Sequence, residues 1–139
     1  SPPFKWAVFG SPDYFKANGK PKATRDLVHH ECIRFRRPEK GDIYRWEFVE
    51  NKETVRVEPA GTITVNDGEL MRSLAVRSVG LIYSSTFHTS RELANGTLEA
   101  ALLDLSPGND GLFLYFSRAA RNQPKLRAFI DVCSQIIKT

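Results

Sequence analysis

Two short stretches of this 139-residue chain, Gly10-Ser11-Pro12 and Asn66-Asp67-Gly68, place small polar residues where a strand hands over to a helix. A helix N-terminus leaves backbone N–H groups unpaired and carries the positive end of the helix dipole, so both mouths could hold a carboxylate. The same residues make good caps. Ser11 precedes a Pro suited to the first helical position, and Asn66 stands three residues before Glu69, the spacing of a capping box. Spacing alone serves either purpose. Arg34 could supply charge to a bound anion, and Ser84-Ser85 ends an apolar run where a ligand-contacting or nucleophilic hydroxyl could sit.

Other chemistry is poorly provided for. His29, His30, Glu31 and Cys32 are adjacent, but neighbours along a chain point in different directions, and His88 stands alone, so no metal site is expected. There is no Gly-x-Ser-x-Gly elbow, phosphate-binding glycine loop or dinucleotide fingerprint. Neither a catalyst nor a bound cofactor is expected.

The elements that would position these residues follow from periodicity. "FKWAVFG" reads as a buried strand, and "SPDYFKANG" as a short helix capped by Ser11 and closed by Asn18-Gly19. "TRDLVHH" is a single turn capped by Thr24, and "ECIRF" a strand. "IYRWEFVE" and "TVRVEP" alternate and form a hairpin, with Tyr44, Trp46 and Phe48 on one face. "TITV", a helix with Leu70, Met71, Leu74, Ala75 and Val79 on one stripe, a stop at Gly80 and the strand "LIYSSTF" make a βαβ unit. A helix over 89–96, a strand over 97–103, an apolar strand over 112–116 and a helix from about 123 to 137 complete the chain.

At 139 residues the chain is one domain, with no apolar run long enough to span a membrane and no secretory leader. Two cysteines a hundred positions apart suit a reducing compartment, and a cytoplasmic location is expected. The net charge of +4 is scattered, without a basic arm or zinc-finger spacing, so direct nucleic-acid binding is not expected.

"SPDYFKANGKPKATRDLVHHECIRFR", "YRWEF", "VNDGELM" with "GLIYSSTF", "RELANGTL" and "KLRAFIDV" occur in order over about positions 5–137. Together they resemble the C-terminal part of the effector-binding domain of LysR-type transcriptional regulators. The resemblance implies an α/β fold like type 2 periplasmic binding proteins, with a mixed sheet flanked by helices and a small effector held between two subdomains. Residues 11–102 would be the second subdomain, 4–10 and 111–139 the hinge strands and returning helix. Effector contacts would fall on Ser11, Pro12, Asn66, Asp67 and Gly68, with Ser84. The winged helix-turn-helix and most of the first subdomain are not in this sequence, and Ser84-Ser85 stands where the family often has Leu-Pro.

The stripe Leu126, Phe129, Ile130, Cys133, Ile136 and Ile137 on the last predicted helix, with the strand "LFLYF", leaves an apolar surface for a second copy to cover. The expected function is a ligand-sensing, dimeric regulatory module that takes a small, anionic metabolite. The alternatives are a self-associating module that has lost sensing, or an enzyme built on Ser84 or Ser85.

Overall fold

The computed structural model of the protein describes residues 3–107, in the order β1 (Trp6–Gly10), α1 (Pro12–Asn18), a 3-10 turn (Thr24–His29), β2 (Arg34–Phe35), β3 (Trp46–Glu50), β4 (Glu53–Val57), β5 (Thr64–Val65), α2 (Gly68–Val76), β6 (Ile82–Ser85), α3 (Ser90–Asn95), β7 (Glu99–Ala101) and a second 3-10 turn (Leu103–Leu105). From Lys5 on, these residues form one compact unit. The strand expected at 112–116, the helix at 123–137 and the stripe Leu126, Phe129, Ile130, Cys133, Ile136 and Ile137 lie outside the described residues.

β1 is apolar on both faces because a core packs against each, and it lies between two neighbours, antiparallel to β6 on one side and to β7 on the other. β2 runs parallel to β5, pairing Arg34 with Thr64 and Phe35 with Val65. A parallel bridge from Cys32 to Leu81 joins β2 to the chain entering β6, closed by Ile33 N–H to Leu81 O and Leu81 N–H to Glu31 O, each 2.8 Å. The strands therefore follow one another as β5–β2–β6–β1–β7, a mixed sheet of the expected α/β kind. The expected βαβ unit is present, with β2 lying between its two strands. β1 lies inside the sheet, and the compact unit starts at Lys5.

Two glycines let this sheet close. A Cβ on Gly61 would lie 2.2 Å from the Cys32 carbonyl oxygen, and one on Gly80 would lie 2.5 Å from that of Glu31. Gly80 therefore does not stop the helix as expected; it admits a neighbouring backbone. α2 ends earlier, at Val76, where Arg77 caps it and Ser78 turns the chain with φ +66°.

Period-two alternation sends side chains to two cores. On one face Ala7, Phe9, Ile33, Ile82 and Leu98 pack against Met71 and Ala75 of α2. On the other, Val8, Cys32, Leu81 and Tyr83 meet Tyr14 and Phe15 of α1, Leu27, and Trp46 and Phe48 of the hairpin. Leu70, expected on the buried stripe, is 47% exposed. Met71 and Ala75, one turn apart, define the buried line, and Leu70 is rotated about 100° from the first of them.

The hairpin of β3 and β4 turns through Asn51 and Lys52, both at positive φ (52° and 66°), as a two-residue type I′ turn requires. Thr24 does not cap the 3-10 turn. Asp26 does so, accepting from Lys22 N–H and Ala23 N–H at 3.0 Å each, while the Thr24 hydroxyl donates to the Glu50 carboxylate at 3.2 Å and ties the turn to the hairpin. Among the described residues no helix is long and apolar enough to cross a membrane.

Candidate functional site

Where β2, β5 and β6 finish and α2 begins, a cavity of about 470 Å³ opens at the end of the sheet. Its wall is aromatic. Trp46 and Tyr83 are buried, and Trp6, Phe35 and Tyr44 are half-buried and turn part of their surface to the space. Trp6, Tyr44 and Trp46 stack around Tyr83 with ring centroids 5.5, 6.0 and 5.7 Å from it. The Tyr83 hydroxyl donates to the Glu47 carbonyl at 2.6 Å, and burial pushes its pKa up, so it stays protonated. Stacking and this hydrogen bond tie the aromatic platform together.

Its polar groups come from three elements. Gly68 opens α2 at the cavity edge, and geometry leaves the first-turn amides of a helix without partners inside it. Arg72, one turn further on, reaches back so that its Nη1 would lie 3.5 Å from a Cβ on Gly68. It forms no ion pair among the described residues, unlike Arg37, whose guanidinium binds Asp42 and lies over the Tyr44 ring. Ser84 is 96% buried (4% exposed), lines the space, and makes no side-chain hydrogen bond among the described residues.

His88 completes the rim. Its Nδ1 lies 2.8 Å from the Ser85 hydroxyl, which also accepts the His88 backbone N–H. Burial and then the nearby Arg72 charge lower its pKa from the ordinary 6.5. His30 is lowered too, chiefly by burial. Its Nδ1 lies 2.8 Å from the Tyr14 hydroxyl, which accepts from Glu31 N–H. Both histidines are held neutral when folded, so below the ordinary 6.5 the unfolded chain takes up protons that the folded one refuses. Stability should fall as pH drops from 6.5 to the lowered folded values and then level off, before Asp26 and Asp42 add their loss as pH falls past 3.8 and on through their lowered folded values. Melting at about pH 7.5 and about pH 5.5 checks this. A His30→Gln/His88→Gln double variant should show a smaller drop, and an equal drop would place the acid sensitivity elsewhere.

Of the residues singled out from the sequence, Gly68 and Ser84 line this cavity. Ser11 and Pro12 do not, and the reason is strand direction. β1 runs antiparallel to β6 with Trp6 opposite Ser85 and Phe9 opposite Ile82, so β1 ends where β6 begins. Ser11 Oγ accepts from Tyr14 N–H at 2.9 Å and meets Ser78 Oγ at 2.6 Å, beyond the C-terminus of α2. The two helix mouths thus stand at opposite ends of the sheet, and the Ser11 mouth is a cap. At the other mouth the capping residue is Asp67, not Asn66. Its carboxylate accepts from Leu70 N–H at 2.8 Å, which places Glu69 too early for the expected capping box. Neither Asn66 nor Asp67 lines the cavity. Arg34 is also absent from it and keeps a buried Nε without a hydrogen-bond partner among the described residues.

Sequence reasoning passed over Arg72 and the aromatic wall. Tyr44 and Trp46 were legible as one face of a strand, but nothing local joins them to Trp6 and Tyr83. The residues of the His29–Cys32 cluster are engaged separately. Cys32 is fully buried, with its thiol pushed up to about 12 by burial, and Glu31 accepts from Thr62 N–H at 2.8 Å. No group of His, Cys, Asp and Glu among the described residues has metal-binding geometry. Ser85, although paired with His88, is fully buried and holds a turn. A wider groove of about 620 Å³ between α2 and α3 has no Phe, Tyr or Trp in its lining, which includes Arg77, Arg91, Glu69 and Glu92.

Comparison with known proteins gives four findings of one kind. The family model described as the LysR substrate binding domain matches residues 3–137. The chain is 32% identical over 130 residues to the uncharacterized HTH-type transcriptional regulator YcaN of Escherichia coli K12, covering 94% of this chain and 42% of the relative. It is 35% identical over 102 residues to the putative LysR family substrate binding domain-containing protein YagP of the same organism, covering 73% of this chain and 75% of the relative. Among solved structures, the regulatory domain of CrgA, a LysR-type transcriptional regulator from Neisseria meningitidis, superposes with a TM-score of 0.71 at 26% identity, over 97% of this chain and 65% of that one. The chain spans less than half the length of the curated full regulator it matches.

Proposed function

The chain belongs to the LysR substrate binding domain family, and from that premise we propose that it is the second lobe of a ligand-sensing regulatory domain, holding a small anionic metabolite in the cavity at the mouth of α2. The relatives are transcriptional regulators and regulatory domains, not enzymes. The observation that supports the reading is the place of the cavity. It lies outside the carboxyl ends of three parallel strands, beside a helix N-terminus and an unpaired guanidinium, where open α/β sheets take ligands. Closure of a partner lobe over the ligand would then shift the arrangement of subunits in the cytoplasm, with differential affinity for the two arrangements as the driving free energy. A second copy of the chain, covering Leu126, Phe129, Ile130, Cys133 and Ile137, completes the proposal from the sequence alone.

Thermal melting against a panel of small organic acids tests it. A binding acid at a hundred times its dissociation constant should raise stability by about 2.7 kcal/mol, a shift of several degrees. Gly68→Leu, whose Cβ meets only Arg72, should keep the fold and abolish the shift by filling the cavity. Ser11→Ala should lose about 1 kcal/mol with its cap and leave the shift intact. No shift with any acid, or a shift lost in Ser11→Ala but kept in Gly68→Leu, would refute the cavity. Sedimentation of the same sample reads the dimer, and a monomer at all concentrations refutes that part.

A further inference from the structure

We propose that the ligand of this cavity is a planar arene carboxylate, its ring lying on the aromatic wall and its carboxylate at the mouth of α2. The inference rests on the effector-cavity reading above and narrows it to one chemical class.

Three half-buried rings, Trp6, Phe35 and Tyr44, face one space, backed by Trp46 and Tyr83. An aliphatic acid would find burial there, but only a π-face gains the additional offset-stacked or edge-to-face attraction of ring pairs. Four of the rings are already held, Tyr83 by its hydrogen bond and Trp6, Tyr44 and Trp46 by stacking on it, so little ordering of these is needed at binding.

The polar end of the cavity asks for a single negative charge. Arg37 is neutralised by Asp42, which leaves Arg72 as the uncompensated guanidinium in the lining. Ser84, a residue only 4% exposed, lines the same space with a hydroxyl that has no partner among the described residues. A carboxylate oxygen can accept from it in a charge-assisted hydrogen bond. The α2 amides at Gly68 supply further donors. Asp67, which would repel an anion, caps the helix and stays outside the lining. Arg72 also helps to keep His88 neutral, and a bound anion opposes that effect, so binding should tighten as pH falls toward the lowered pKa of His88. The titratable and charged groups in the lining are Arg37, Tyr44, Arg72, Tyr83 and His88, and both tyrosines are raised by burial and remain neutral throughout.

The chain's two tryptophans, Trp6 and Trp46, both line the cavity, so their indole N–H resonances report occupancy directly. The probes are benzoate, cyclohexanecarboxylate (same charge, no π-face) and benzamide (π-face, no charge), titrated into the full chain. Benzoate is expected to move both indole resonances. The other two should bind at least about tenfold more weakly, and Arg72→Gln should weaken benzoate about tenfold without changing the melting temperature. Cyclohexanecarboxylate binding as tightly as benzoate, with both resonances moving, would overturn the arene class and leave the effector cavity standing. A folded chain whose indole resonances respond to none of the three, nor to any acid of the panel, would overturn both. Benzoate moving only resonances remote from Trp6 and Trp46 would also overturn the proposal.

Discussion

Gly61→Ala is expected to destabilise the folded chain by about 3 kcal/mol or more, one of the largest effects of any single methyl group here. The added carbon would lie 2.2 Å from the Cys32 carbonyl oxygen, 2.9 Å from Glu31 Oε1 and 3.1 Å from the Cys32 carbonyl carbon. Two of these three are backbone atoms, held by Cys32 N–H to Ala60 O at 2.8 Å on one side and by the Leu81 bridge on the other. The Glu31 carboxylate can rotate away but the Cys32 backbone cannot, so the sheet itself must part. Gly41→Ala is the useful contrast. Its site is open and only its φ of +72° opposes a side chain, so about 1 kcal/mol is expected. Urea unfolding of both variants separates the two mechanisms. A Gly61→Ala midpoint no lower than that of Gly41→Ala would show that strands 31–36 and 60–65 do not approach as described.

Trp46→Ala should cost about 4 kcal/mol and, in whatever fraction stays folded, remove part of the aromatic wall of the cavity. Trp46 is 1% exposed, packs between hairpin and sheet, and stacks on Tyr83 at 5.7 Å with an interplanar angle of 18°. Its loss leaves a void that the stacked neighbours cannot close without giving up their own contacts. A domain of this size has about 5–15 kcal/mol in total, so a large part of its stability goes with one side chain. Trp46→Phe, which keeps an aromatic face and most of the volume, should cost clearly less. Equal losses for the two would mean that the indole does not fill the space between hairpin and sheet. Far-UV dichroism and chemical denaturation give the stability, and the Trp6 indole resonance reads the aromatic wall in the phenylalanine variant.

Local pattern carried much of this architecture. The alternation from Tyr44 to Phe48 announced the hairpin, Ser11-Pro12 and Asn18-Gly19 bracketed α1 where expected, and the ordered motifs carried the family. What local pattern does not contain is direction. Ser11-Pro12 and Asp67-Gly68 look alike as short strings. Whether they share a site depends on β1 running against β6, which is settled by pairings some eighty positions apart. The one-residue shift of the α2 cap has a simpler cause, since Asn66 and Asp67 are both good capping residues and the choice between them is tertiary. Gly80 was read as a helix stop because a glycine after an apolar stripe usually is one, whereas the neighbour that demands it, Glu31, lies half the described chain away. The cavity was least legible, because its five rings come from β1, the end of β2, the hairpin and β6.

Strand β2 meets its first flank thirty positions later, at Thr64, and its bridge to the other side waits until Leu81. A chain that emerges from the ribosome N-terminus first, at about 5–20 residues per second, must carry that segment with open backbone edges for several seconds. Closure is then a late, all-or-none event dominated by distant pairings, and slow refolding in vitro follows from it. Any fragment that stops short of Leu81 keeps those edges open and should precipitate or recruit holdases rather than persist as a small lobe.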